Sequence, residues 1–404
     1  MSSTISPPPS QEPRRTGGSS GGGLGRSGLG LPFDFVMAIA VAGICACSLV
    51  TLATVKVDGY PEGFFMQRQA VYFAVGAVIA LVLSRVDYSR LRELRWGIFA
   101  LMIASLVAVM AFGDIARGSR RAIQLPLFSF QASELGKVLI VVVLSAFIVD
   151  RSRRLGDRDT TARTMLLALV PAALVMLQPD LGSALVYIAI VMTVLFVAGI
   201  PGRHFAGLGL LGALAVVFVL VAAPAAGVEV LHDYQKERLT AFLNPTGDPD
   251  DAGYQQNQSR IAIGSGEKIG RGEKATQTRD NFLPENHTDF AFASLGERYG
   301  FVGAAILLSF YALLIWCTLR ALTVSKNLFG AVVAGGILAM LLFQVFVNVG
   351  MNVGIMPITG IPLPLMSYGG SSVITTFVAI GLLLSIHAQG RAATAGKGRV
   401  LGYT

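Results

Sequence analysis

Apolar residues in this chain come in long runs separated by short polar breaks. The runs lie near Phe33–Val55, Arg68–Leu83, Trp96–Phe112, Leu135–Val149, Thr164–Leu177, Leu181–Ile200, Phe205–Ala223, Phe301–Leu322, Leu328–Val353 and Ser371–Ile386. A bilayer core takes roughly 20 apolar residues as a helix. The pattern therefore predicts an all-α membrane protein of about ten transmembrane helices. The fifth and sixth runs are parted only by Gln178-Pro179-Asp180, which reads as a hairpin turn. No fixed-period repeat is visible, which argues against a transporter built from recent inverted repeats.

Two stretches break the pattern. Residues 1–31, rich in Ser, Pro, Gly and Arg, hold too little apolar surface to fold and read as a disordered cytoplasmic tail. The first apolar run starts after them and lacks an A-x-A exit, so they do not read as a signal peptide. Residues 228–299 form a long polar stretch between the seventh and eighth runs. A loop of that length is expected only where it has a function. The domain reading is a tail at 1–31, one polytopic domain at 32–390 that includes this large loop, and a cytoplasmic C-terminal tail at 391–404.

Composition sharpens this picture. Of 404 residues, 53% are hydrophobic and 14% charged, against roughly 25% charged in average soluble domains. The formal charge is +8. In so apolar a chain it reads as loop topology and not as a nucleic-acid footprint. Arg90, Arg92 and Arg95, then Arg151, Arg153, Arg154, Arg158 and Arg163, then Arg203, Arg320 and Lys326, and finally Arg391, Lys397 and Arg399 all fall on one side. The positive-inside rule puts that side, with both termini, in the cytoplasm. Arg117, Arg120 and Arg121 cluster on the other side, against the rule, and so suggest an anionic ligand. Cys45, Cys47 and Cys317 lie in apolar runs and imply neither a disulfide framework nor a zinc site.

The residues able to carry chemistry gather on the outer side. "NFLPENHTDFAFASLGERYG" places Glu285, His287, Asp289 and Glu297 where polar loop meets apolar helix. A carboxylate such as Asp289 there can serve as a general base with its pKa raised by partial desolvation. Thr288 or Asp289 can equally cap the helix, with Glu285 favoured by its dipole. "YQQNQSRIAIGSGEKIGRG" offers backbone amides beside Arg260, Lys268, Arg271 and Lys274, a combination that suits a diphosphate. It also suits a plain surface loop whose glycines make turns. In "FQASELGK", Glu134 and Lys137 are three apart and can share a helix face, as a simple ion pair or as pathway-lining charges. "NPTGDPDDAG" begins like a calcium loop, but Ala252 and the missing closing glutamate argue against calcium. The prolines of "GIMPITGIPLPLMSYGGSS" break helicity near the membrane, and Asn348 and Asn352 before them can glue helices together.

Taken jointly, "FLNPTGDPDDAGYQQNQSRIAIGSG", "FLPENHTDFAFASLGE", "QPDLGSAL", "FQASELGK" and "GIPLPLMSYGGSS" resemble the SEDS family, whose branches are RodA, FtsW and the sporulation homologue. The resemblance runs in order from about Phe33 to His387, and "GIPLPLMSYGG" and "LLLSIH" lean to the RodA branch. It implies a ten-helix peptidoglycan glycosyltransferase that polymerises lipid II on the outer face of the cytoplasmic membrane during elongation and rod-shape maintenance. The partners it implies are a class B penicillin-binding protein transpeptidase and other elongation-machinery membrane proteins. It places the family's essential aspartate, in H-T-D-F, at Asp289. Arg120, Arg121, Lys137, Arg260 and Lys268 are then expected at the diphosphate, and Glu134, Gln258, Ser259, Glu285, His287, Thr288, Ser367 and Tyr368 around the substrate. No metal ligand is identified and no cofactor is required, although a divalent cation, Mg2+ or Mn2+, would also offset the leaving charge. One departure stands out: the family often carries Trp where this chain has Ala122. The alternatives are an FtsW-like division polymerase and a lipid II flippase lined by Glu134, Lys137 and Asp180.

Overall fold

A computed structural model describes residues 34–55, 59–116, 119–125, 128–225, 227, 235, 236, 238, 240, 242, 252–280 and 282–401. The expected tail at 1–31 and much of the first half of the large loop lie outside these residues. The described part of the compact unit Pro32–Thr404 is a helical bundle.

Its helices follow the apolar runs. They are α1 Phe35–Leu52, α2 Phe64–Arg85, α3 Arg95–Phe112, α4 Ala132–Asp150, α5 Arg158–Leu177, α6 Leu181–Val197 and α7 Gly202–Val217. After the loop come α8 Ala252–Ser265, α9 Ala291–Val324, α10 Leu328–Val353 and α11 Gly370–Leu401. Among the described residues nine helical stretches are long and apolar enough to cross a membrane, and α6 is a shorter apolar helix. The helix α7 continues through a π-helical turn at Phe218–Ala222.

Helix starts sit where short polar side chains are available. Asp34 accepts from the amides of Val36 and Met37, Asp180 from that of Ser183, and Asn327 from that of Gly330. These bonds satisfy amides that a helix N-terminus leaves without partners. The core is built from α4, α10 and α11, whose apolar windows are mostly buried, whereas α7 buries none of its window. Small residues allow the close contacts. A Cβ on Gly336 would stand 2.7 Å from Val141 Cγ1, and one on Gly335 the same distance from Val197 Cγ2. Helices in lipid gain most of their association energy from this kind of packing.

Three features depart from the sequence reading. A small antiparallel sheet, β1 Asp114–Ala116, β2 Ser119–Gln124 and β3 Ser129–Phe130, joins α3 to α4. The polar stretch 228–299 is not loop throughout, because it contains α8 and its last residues already belong to α9. Finally, α9 starts ten residues before the expected eighth span and kinks at Gly300, where φ is 63° and ψ −158°. The segment before the kink is buried in protein, with Phe292, Ser294, Leu295 and Glu297 all inaccessible.

Candidate functional site

The turn that carries Asp289 is held through its backbone carbonyls. Three successive carbonyls are each taken by a different donor. His287 O accepts from Tyr368 N at 2.8 Å, and Thr288 O from Ser367 Oγ at 2.6 Å. Asp289 O accepts from Asn348 Nδ2 at 3.1 Å and Asn352 Nδ2 at 3.2 Å. Within the turn, Thr288 Oγ1 donates to Glu285 Oε2 at 2.7 Å, and Glu285 itself has φ of 53°. A non-glycine residue held in that region marks a turn over-determined by its surroundings.

The capping question from the sequence is answered locally. The residue at the N-cap of α9 is Phe290, which supplies no side-chain bond. The amide of Ala293 is instead taken by Asn352 Oδ1 at 3.1 Å. Asn352 therefore caps α9 from α10, and Ser259 Oγ on α8 donates to Asn352 O at 2.9 Å. Glu297, buried completely, caps the short helix Thr276–Arg279 by accepting from Gln277 N, Thr278 N and Thr278 Oγ1.

The Asp289 carboxylate points toward the loop between α10 and α11. Its Oδ2 lies 3.7 Å from the place a Cβ on Gly360 would occupy, and Arg238 Nη1 lies 3.5 Å from the same place. Arg238 Nη1 also donates to Ile358 O at 3.5 Å. Arg238 in turn lines a cavity of about 920 Å³ between α5, α6 and α7, near the upper end of the roughly 300–1,000 Å³ usual for ligand pockets. Its walls are apolar side chains such as Leu169, Leu181, Ile188, Val216 and Leu220. Most of its polar groups, Arg121, Asp180, Gln235, Arg238 and Thr359, come from the loops at its mouth, and Tyr187 lies on α6. Arg121 Nη2 donates to Pro179 O at 2.6 Å, and Asp180 accepts from Ser133 Oγ at 3.0 Å and Gln131 Nε2 at 3.3 Å.

The other expected site residues fall into three groups. Arg121 reaches the cavity mouth, and the side chain of Arg120 lies outside the described residues. Ser259, Ser367, Thr288 and Glu285 are spent on holding the Asp289 turn. Glu134 and Lys137 form a 2.5 Å ion pair buried in α4 and do not line the cavity. Arg260 and Lys268 are exposed, and Gln258 is half-buried on α8. The glycine strip around Lys268 packs on the α9 kink. Phe301 N donates to Glu267 O and Val302 N to Lys268 O, about three turns along α9 from Asp289. Among the described residues no cluster of three His, Cys, Asp or Glu side chains could hold a metal ion.

Beside the turn lies Tyr368, whose phenol burial pushes up to about 12, helped by Tyr72 and opposed by Arg68. It stays protonated near neutral pH and acts as a hydrogen-bond donor, not a base. Arg238, Gly360 and Gln69 were not singled out from sequence. Gln69 Nε2 donates to Ser367 O at 3.1 Å and its Oε1 accepts from Gly369 N at 3.4 Å. The legible signal was a buried amide inside an apolar run, since polar groups in spans find partners. Arg238 had no signal beyond its charge.

A family model described as a cell cycle protein, FtsW/RodA/SpoVE, matches residues 31–392. The chain is similar to peptidoglycan glycosyltransferase MrdB of Escherichia coli K12, 40% identical over 325 residues, covering 80% of this chain and 85% of the relative. It superposes with TM-score 0.74 on a chain from a structure described as "Structural coordination of polymerization and crosslinking by a peptidoglycan synthase complex", at 32% identity, covering 89% and 99% of the two chains. It also matches the rod shape determining protein RodA of Thermus thermophilus, at TM-score 0.65 and 29% identity, covering 88% and 97%.

Proposed function

This chain belongs to the FtsW/RodA/SpoVE family of cell cycle proteins, and from that premise we propose that it polymerises lipid II with Asp289 as the catalytic base. It is a multi-pass membrane protein and a peptidoglycan glycosyltransferase, with the elongation role of its RodA-type relatives. One observation carries the mechanism: the carboxylate on a rigidly held turn stands with Arg238 at Gly360, and Arg238 lines a large apolar cavity.

The chemistry follows from that placement. The polyprenyl chain of the donor lies among the apolar walls between α5, α6 and α7, and its diphosphate meets Arg121 and Arg238 at the mouth. Asp289 takes the proton from the acceptor 4-hydroxyl as that oxygen attacks C1 of the donor sugar. The C1–O bond to the diphosphate breaks, and the electron pair leaves on the diphosphate. Single displacement inverts the anomeric centre, so no second nucleophilic carboxylate is needed. The arginines stabilise charge that develops on the leaving group, which is why no strong general acid is required there. The buried Glu134–Lys137 pair fixes the start of α4 next to Asp180 and acts through that position.

The test is a detergent assay with purified chain and lipid II, in which no membrane is available to cross. Polymer should form, and a flippase would make none. Arg238→Gln should weaken lipid II use by about 1.5–3 kcal/mol, the range for hydrogen bonds to charged groups. Parental kinetics in that variant would remove Arg238 from the diphosphate site. The chain has no S-x-x-K with a K-T-G companion, so its crosslinking partner is a class B penicillin-binding protein. Adding that partner should raise the rate.

Orientation rests on the basic loops. With both termini cytoplasmic, Asp289 faces outward. A cysteine introduced at the exposed position Glu273 by Glu273→Cys should react with an impermeant thiol reagent in spheroplasts, and one introduced by Asp157→Cys should not. The reverse labelling would overturn this orientation.

A further inference from the structure

Against the Asp289 turn, five aromatic rings run in contact toward the surface. The His287 ring lies 4.5 Å from Phe65, and Tyr368 meets the same Phe65 ring edge-on at 4.9 Å. Phe65 contacts Phe64 at 5.4 Å and Tyr60 at 5.2 Å, and Tyr60 contacts Phe64 at 4.9 Å. Phe65 is 6% exposed, and Tyr60 at the outer end is 52% exposed. The Arg68 guanidinium lies 4.6 Å over the Phe64 ring.

Rings at a membrane interface commonly serve as anchors in the headgroup layer. Such anchors stand on exposed surfaces, as Trp96 and Trp316 do here. The five rings differ because they are tied to the catalytic turn. Tyr368 N donates to His287 O, Ser367 Oγ to Thr288 O, and Gln69 clamps the Ser367–Gly369 backbone from α2. The strip and the carboxylate therefore hold one fixed geometry, as a preorganised subsite requires. Aromatic faces suit the axial C–H faces of pyranose rings, and Arg68 suits the carboxylates of a peptide-bearing glycan.

We infer that the series His287, Tyr368, Phe65, Phe64 and Tyr60 is a carbohydrate subsite that holds the growing glycan strand as it leaves Asp289. The inference rests on the glycosyltransferase reading, and its test separates the two. The full-length chain, with its transpeptidase partner, is given lipid II, and both the rate of lipid II consumption and the strand-length distribution are measured. Tyr60→Ala and Phe64→Ala should shorten strands three-fold or more while slowing consumption much less, because lost stacking releases the strand early. Tyr60→Phe should restore length. Tyr60→Leu should not, since it keeps apolar surface without an aromatic face. Parental length in Tyr60→Leu would make the strip a lipid anchor and overturn the inference. So would unchanged strands in Tyr60→Ala and Phe64→Ala, or rate and length falling together in both. A parent that makes no polymer would instead sink the glycosyltransferase reading.

Discussion

Replacing Asp289 with Asn should abolish lipid II polymerisation while leaving the protein folded. The bonds from Tyr368, Ser367, Asn348 and Asn352 end on backbone carbonyls of residues 287 to 289, which Asn retains. The start of α9 is capped by Asn352, so no cap is lost with the carboxylate. What the substitution removes is the capacity to accept a proton from the acceptor hydroxyl. General base catalysis is worth roughly 10²–10⁴-fold, and Asp289→Asn and Asp289→Ala should both lose activity on that scale. The comparison is made on detergent-purified protein, with melting temperature and partner binding as controls. Parental turnover in Asp289→Asn would disprove the base assignment. Glu285 would not replace it easily, because its carboxylate already accepts from Thr288 Oγ1.

The second large effect is on stability. Gly300→Ala should destabilise the bundle strongly, because two independent constraints meet at that position. The backbone conformation, φ 63° and ψ −158°, lies in a region open essentially to glycine alone, and other residues there cost about 1–3 kcal/mol. There is also no space: an added Cβ would fall 2.4 Å from Gly270 N and 2.7 Å from Gly266 O, both backbone atoms that cannot swing aside. The kink directs the buried first turns of α9, and so the Asp289 turn, back into the protein. A lowered melting temperature together with lost polymerase activity is the expected result. Gly264→Ala on α8 is the control, since nothing lies within 4 Å of its added Cβ and alanine favours a helix by about 1 kcal/mol over glycine. Equal melting temperatures for the two variants would show that the kink is not required.

The hydrophobic pattern by itself determined the membrane class, the helix count and most helix ends. Desolvation of the backbone in lipid leaves few options, and each span must close its own hydrogen bonds. The α10 boundaries, Leu328–Val353, coincide with the apolar run because Asn327 and Gly354 end it on either side. Asp289 stands out in the sequence as a candidate as well, because a carboxylate placed where polar loop enters an apolar helix is costly unless it is used. Only the tertiary structure decided the roles around it. Glu285, Thr288, Ser259 and Ser367 stand in motifs expected around the substrate, and folding also engages them as clasps on the turn, since a polar side chain in a buried loop must satisfy the backbone beside it. Arg238 and Gly360 carried no local pattern and became neighbours of Asp289 only through folding. The cavity between α5, α6 and α7, and the ring strip from α2 to the loop before α11, join residues hundreds of positions apart in the chain. Periodicity reports which face of a helix is apolar. It does not report which other helix that face will meet, or which face will be left open for a substrate.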